Sequence, residues 1–135
     1  MERELAARLA AEIEGQVQEN APLAPLTTYQ LGGPADILIT PAQPADVVAT
    51  VRACRAAAVP LFTLGAGSNL LIADAGVRGV VIRLADGLTA LHIADGVLTV
   101  AAGAADPAVA DALAQAGVPG FGYLADLPGT IGGAV

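Results

Sequence analysis

Most of the chemistry open to this sequence sits in two short glycine-rich stretches. The first, Gly65-Ala66-Gly67-Ser68-Asn69-Leu70, follows the apolar run Leu61 to Leu64. Glycine tolerates positive φ, so such a pair bends the chain until several backbone N–H groups bear on one point. The resulting nest holds an anion without any basic side chain. Ser68 and Asn69 add side-chain donors. Two better-known phosphate devices do not fit. Leu70 stands where a dinucleotide fingerprint has its third glycine, and no helix start follows it. A P-loop needs a lysine, and the chain has none. The second stretch, Pro128-Gly129-Thr130-Ile131-Gly132-Gly133, lets the backbone approach a flat or charged ligand closely. Taken alone, each stretch also fits an ordinary structural turn. Together they point to one extended anionic ligand held mostly by main chain.

The other reactive residues are scarce. Without lysine there is no Schiff base and no lysine base. Ser68 and His92 are the single serine and the single histidine, so any Ser-His pair would have to be these two. No second histidine completes a metal site, and none is expected; His92 reads as a surface or semi-buried strand residue. Cys54, the lone cysteine, falls on the apolar stripe of a helix and reads as a packing residue in a reducing compartment. Asp86 and Asp95 serve turns. Asp74 and Arg78 flank the loop after the first glycine stretch and read as a local ion pair, with contact to a ligand as the alternative. Tyr123 either lines a pocket or packs in the core.

Composition narrows the partners. Thirteen acidic and six basic residues give a net charge of −7 over 135 residues, and the arginines are dispersed. Nucleic acid and anionic membrane are poor partners for such a chain. No apolar stretch approaches the roughly 20 residues of a membrane span, and the acidic Glu2 and Glu4 after Met1 are unlike a signal peptide. A cytoplasmic protein is expected.

The elements that must position the two stretches follow from periodicity and punctuation. Glu2 to Glu14 carries Leu5, Leu9 and Ile13 on one face and predicts a helix. Gly15 to Pro25 reads as a connector, Ala35 to Thr40 as a strand, and Pro44 to Ala58 as a helix burying Val47, Val51, Cys54 and Ala58. Leu61 to Leu64 predicts a buried strand. Val80 to Leu84, Leu88 to Ile93 and Val97 to Ala102 are separated by two Ala-Asp-Gly turns, which predicts an antiparallel meander. Asp106 and Pro107 are expected to cap and start a helix ending at Gly117. A strand-length run is expected after Gly132-Gly133, which makes the end of the chain read as incomplete. The fold class is α+β in two lobes, 1–84 with the N-terminal helix and 85–135.

Four words occur in fixed order: Thr27-Thr28-Tyr29-Gln30-Leu31-Gly32-Gly33-Pro34-Ala35-Asp36, Leu64 to Leu71, Gly79 to Leu84, and Leu127 to Ala134. This set closely resembles the N-terminal half of the UDP-N-acetylenolpyruvoylglucosamine reductases, the MurB family of peptidoglycan synthesis. The resemblance implies a two-lobed FAD-binding domain of the vanillyl-alcohol-oxidase or PCMH type, its second lobe incomplete here and its substrate domain absent. It implies that Gly65, Ala66, Gly67, Ser68, Asn69 and Leu70 hold the pyrophosphate of FAD. It likewise implies that Pro128, Gly129, Thr130, Ile131, Gly132 and Gly133 approach the cofactor from the other lobe. The implied reaction has NADPH reduce FAD and the flavin pass hydride to UDP-N-acetylglucosamine enolpyruvate, with an enzyme acid protonating the adjacent carbon. The family's catalytic residues and its UDP-sugar contacts are expected beyond Val135, so no catalytic residue is assigned here and Ser68 stays with the cofactor loop. Departures are Gly122 where a glutamate is common, Asp126 where a small residue is usual, and the missing tryptophan after Gly103. Two alternatives remain: another flavin oxidoreductase of the same fold, and a non-catalytic binding module.

Overall fold

The computed structural model describes residues 2–135. Its centre is a four-stranded sheet whose two middle strands are apolar on both faces. β1 (Gln16–Pro22), β2 (Pro34–Thr40), β3 (Leu61–Leu64) and β4 (Val77–Arg83) lie in the order β1-β2-β4-β3. β1 runs antiparallel to β2, while β2, β4 and β3 are mutually parallel. Ile37, Ile39, Val80 and Ile82 face α1 (Glu2–Glu12) and α2 (Pro44–Ala57), burying Leu5, Leu9, Ala53 and Cys54 with them. Leu38 and Val81 point the opposite way, into a second cluster with Leu23 and Leu64. Strands covered on both sides need no polar alternation, which is why they read as continuous apolar runs.

The register between β2 and β4 slips by one residue between Ala35 and Ile37. Gly79, at φ 118°, absorbs the extra residue, and its amide donates to Asp36 Oδ2 at 2.7 Å. The other oxygen of Asp36 meets Arg78 at 2.8 Å. The expected Asp74–Arg78 pair therefore does not form, because the bulge carries Arg78 to the carboxylate of the neighbouring strand.

Beyond the sheet, β5 (Leu91–Ala94) and β6 (Val97–Val100) form a hairpin. Leu91, Ile93, Leu98 and Val100 share one of its faces and pack against Val109 and Leu113 of α3 (Asp106–Gln115). His92 and Thr99 face outward. Asp95 and Gly96 sit at φ 51° and 76°, the backbone a two-residue hairpin demands. Asp86-Gly87 has no positive φ and makes no hairpin. Its amide bonds run back to Leu84, with Arg83 and Asp86 paired at 2.7 Å, and β4 stays in the parallel sheet. The expected three-stranded meander is thus one hairpin and one crossover turn.

Three further expectations need correction. The connector at Gly15 to Pro25 contains β1, an edge strand with a mostly exposed, polar sequence that hydrophobic patterning does not mark. α2 fully buries Asp46, Thr50, Ala53 and Cys54; of the rest of the expected stripe, Val47 is half-buried against the core, Val51 is half-buried and Ala58 is exposed. The helix is turned by polar demands: Asp46 Oδ2 accepts the amides of Ala42 at 2.8 Å and Gly15 at 2.9 Å, Oδ1 accepts that of Glu14, and Thr50 Oγ1 donates to the Asp46 carbonyl. Last, Ile131–Ala134 is a single helical turn, α4, in place of the start of a strand. Leu61 to Leu64 is a strand as expected, but an edge one, with Phe62 half exposed and Leu64 buried. Burial pushes the Cys54 thiol up from its ordinary value, in keeping with a packing role.

Candidate functional site

The C-terminal ends of the parallel strands β3 and β4 open onto a cleft of about 590 Å³. That is the usual position for a ligand crevice in a parallel sheet, and the volume falls within the range of ordinary small-molecule sites. Both glycine-rich stretches line it. Gly65, Ala66, Gly67, Ser68, Asn69 and Leu70 form one wall; Pro128, Gly129, Thr130, Gly132 and Gly133 form the other. Ile131 does not: its side chain turns into the cluster beneath α3.

The first wall leaves its donors free. Among the described residues, the amides of Gly65, Ala66, Gly67, Ser68 and Asn69 donate no hydrogen bond within the chain. Only Gly67 of the glycine pair takes positive φ, at 70°. A Cβ there would fall 2.1 Å from the Leu26 carbonyl oxygen, so the loop is seated on the Leu26-Thr27-Thr28 segment with no room for a side chain. Thr28 fixes the seat by donating its amide to the Gly67 carbonyl at 3.1 Å, and Thr27 Oγ1 bonds the Ala24 carbonyl. Gly65 is needed for proximity: its Cβ would sit 2.7 Å from Thr130 Oγ1 on the facing wall.

The second wall is held by its own hydrogen bonds. Thr130 bridges to Ala105, with Asp106 N–H donating to the Gly129 carbonyl and Ile131 N–H to that of Ala104. Gly132 N–H donates to Ala102 at 2.9 Å. This bridge displaces the expected helix cap: Ala105 takes the cap position in extended backbone, and Asp106 lies one residue inside α3 without bonding the helix amides. Asp106 faces the cleft instead.

Sequence reasoning did not single out Thr63, Leu84, Ala102, Asp106 or Leu127, which also line the cleft. No glycine or phosphate-loop signal marks them; strand-end position is the one clue, and it applies to Thr63 and Leu84. His92, Cys54, Asp74, Asp86, Asp95, Arg78 and Tyr123 lie outside the lining. Tyr123 is 62% exposed and so neither lines the cleft nor packs in the core.

No basic side chain lines the cleft. Free amides on consecutive lining residues are its source of positive potential, and such a run suits a diphosphate better than a single point charge would. The residues present therefore fit a dinucleotide such as FAD. Residues 35–135 match the model of the FAD binding domain family. The chain belongs to that family. Of the relatives of this FAD-binding domain, the UDP-N-acetylenolpyruvoylglucosamine reductase of Anaeromyxobacter sp. (strain Fw109-5) is 45% identical over 96% of the chain. The reductase of the same name from Maricaulis maris is 46% identical over 91% of it. The chain spans only 41% and 39% of the lengths of these two relatives. Among solved structures, the MurB reductase of Thermus caldophilus superposes with a TM-score of 0.66 at 34% identity, covering 89% of this chain and 41% of that one. Cholesterol oxidase of Brevibacterium sterolicum superposes with a TM-score of 0.64 over 90% of this chain and 24% of its own, at 17% identity. That second likeness shows a shared fold: the FAD-binding domain is α+β, of the PCMH type. Among the described residues no helix is long and apolar enough to cross a membrane.

Proposed function

We propose that this chain is the flavin-holding part of an NADPH-dependent reductase acting on UDP-N-acetylglucosamine enolpyruvate, which yields UDP-N-acetylmuramate for cell-wall peptidoglycan in the cytoplasm. The observation that carries this reading is the 45% identity, over nearly the whole chain, to a reductase named for that reaction. The cleft supplies the physical means. On this reading the sheet and its helices (1–84) and the hairpin with α3 (85–135) are the two lobes, and FAD lies between them. Bound there, FAD supplies hydride transfer.

The chain's own residues bind and position. The amides of Gly65 to Asn69 receive the diphosphate, with Ser68 and Asn69 able to add side-chain donors. Gly129, Gly132 and Gly133 present a stretch of wall without side chains along which a flat ring can lie. The close approach of Gly65 to Thr130 brings the two walls together at one place in the cleft. No residue of this chain is assigned to protonate the substrate; Ser68 belongs to the binding loop.

Two measurements test this. FAD titrated into the chain is expected to change its fluorescence saturably at one equivalent; no change overturns the flavin assignment. In the reductase carrying this sequence at the length of its relatives, NADPH oxidation is expected to require UDP-N-acetylglucosamine enolpyruvate. Turnover indifferent to that compound overturns the substrate assignment and leaves the flavin one standing.

A further inference from the structure

Two large apolar side chains of the cleft are left in the open. Leu70 is 43% exposed and Leu127 is 42% exposed. Among the described residues no other large apolar side chain both lines the cleft and stands so exposed. They come from opposite walls. Leu70 directly follows the unspent amides of Gly65 to Asn69, and Leu127 stands two residues before those of Gly129 and Thr130. A single exposed leucine needs no explanation. One on each wall of the same cleft, each beside free donors, matches a ligand whose charged part adjoins a flat apolar one.

The surface beyond Leu70 is apolar as well. Thr28 N–H donates to the Gly67 carbonyl and Gly33 N–H to that of Ala73, which lays residues 28–33 along 67–73. Between these ties Tyr29, Leu31 and Leu71 are more than half exposed, whereas Ile72 packs into the cluster with Leu23 and Leu64. The Leu70 end of the cleft therefore borders open apolar surface.

Resting on the flavin-nucleotide reading above, we infer that Leu70 and Leu127 receive the isoalloxazine ring of the bound dinucleotide, with the adenosine half elsewhere along the cleft. Of the two ring systems, isoalloxazine is the one that a hydride donor and a hydride acceptor must both reach, so it belongs at the open margin. It is also the larger, and covering a leucine with a ring removes apolar surface of both from water. Leu70 and Leu127 act here as binding residues for the ring, distinct from the amides that take the diphosphate.

The test titrates the full chain, its Leu70→Gln variant and its Leu127→Gln variant with FAD and with ADP by calorimetry, and records the visible flavin spectrum at saturation. Each variant is expected to weaken FAD binding about fivefold or more and to leave ADP binding within about twofold. The change in the flavin band on binding is expected to shrink in both variants. Melting temperatures without ligand are expected to match the wild type, because both leucines are exposed. An equal loss for ADP overturns the inference by placing the adenosine half at the leucines. Unchanged FAD affinity also overturns it, and a simultaneous loss of self-association would assign the leucines to a second copy of the chain. Either result leaves the flavin reading intact, whereas a wild type that binds neither probe overturns both.

Discussion

The two glycine loops face one cleft, yet glycine does different work in each. In Gly65 to Asn69 five amides are unspent, and Gly67 adopts a backbone that a side chain would both strain and block. In Pro128 to Gly133 no glycine has positive φ, and the amides of Ile131, Gly132 and Gly133 are committed to carbonyls of Ala104, Ala102 and Thr130. There the missing side chain permits contact: a Cβ on Gly132 would meet that of Ala102 at 2.7 Å. The first loop has five consecutive amides unspent; in the second only those of Gly129 and Thr130 are, and the rest of that loop is fixed to the chain behind it. A glycine-rich word is thus no guide to ligand binding until its amides have been accounted for.

Substitutions can break this contrast. The largest effect is expected at Gly67. Gly67→Val drives a branched side chain toward the Leu26 carbonyl at a positive φ, so FAD binding should be lost altogether in fluorescence titration. Binding close to the wild type would remove the first loop from the site. Next is Asn69→Asp, an isosteric change at an exposed position that places a negative charge beside the free amides. FAD affinity should fall by about tenfold or more with the melting temperature unchanged, an effect of roughly 1.4 kcal/mol on binding alone.

A substitution in the second loop should do the reverse. Gly132→Ala overpacks the contact with Ala102 and should lower stability by about 1–3 kcal/mol in denaturant titration. FAD affinity of the folded fraction should hardly change. If affinity falls while stability holds, the second loop also binds through its amides and the contrast fails.

The smallest effect lies away from both loops, at Asp46. Burial pushes its carboxyl up, but amide hydrogen bonds from Ala42, Glu14, Gly15 and Gln43 outweigh this and hold it below its ordinary value of 3.8. A depressed folded-state value means the stabilisation is fully present above the unfolded value and is lost as pH falls through the folded one. Melting temperature should therefore decline as pH falls below the ordinary value of 3.8, with a flatter decline in Asp46→Asn. FAD affinity at neutral pH should be the same in both.

The sequence made legible what local physics decides. Apolar runs gave β2 and β4, Pro44 gave the start of α2, and Asp95-Gly96 gave the hairpin, because each is fixed by its own residues. What stayed hidden depended on residues distant in the chain. Asp86-Gly87 carries the same word as Asp95-Gly96, but partners on β2 and β3 had already claimed β4. Polar Asp46 and Thr50 are buried because loop amides and a carbonyl need them, and apolar periodicity cannot register that. In the cleft, the glycines were readable and Asp106 was not. Its position just before Pro107 looks like a helix cap, and only the bridge between Ala105 and Thr130 turns it elsewhere.

The absence of any cation along the cleft walls has a consequence for ionic strength. A site built on lysine or arginine weakens as salt shields those charges. Peptide dipoles present no mobile counterion to displace, while the protein as a whole, at −7, opposes an approaching diphosphate. Dissolved electrolyte then dampens the long-range opposition more than the short-range grip, and moderate salt hastens capture of the ligand.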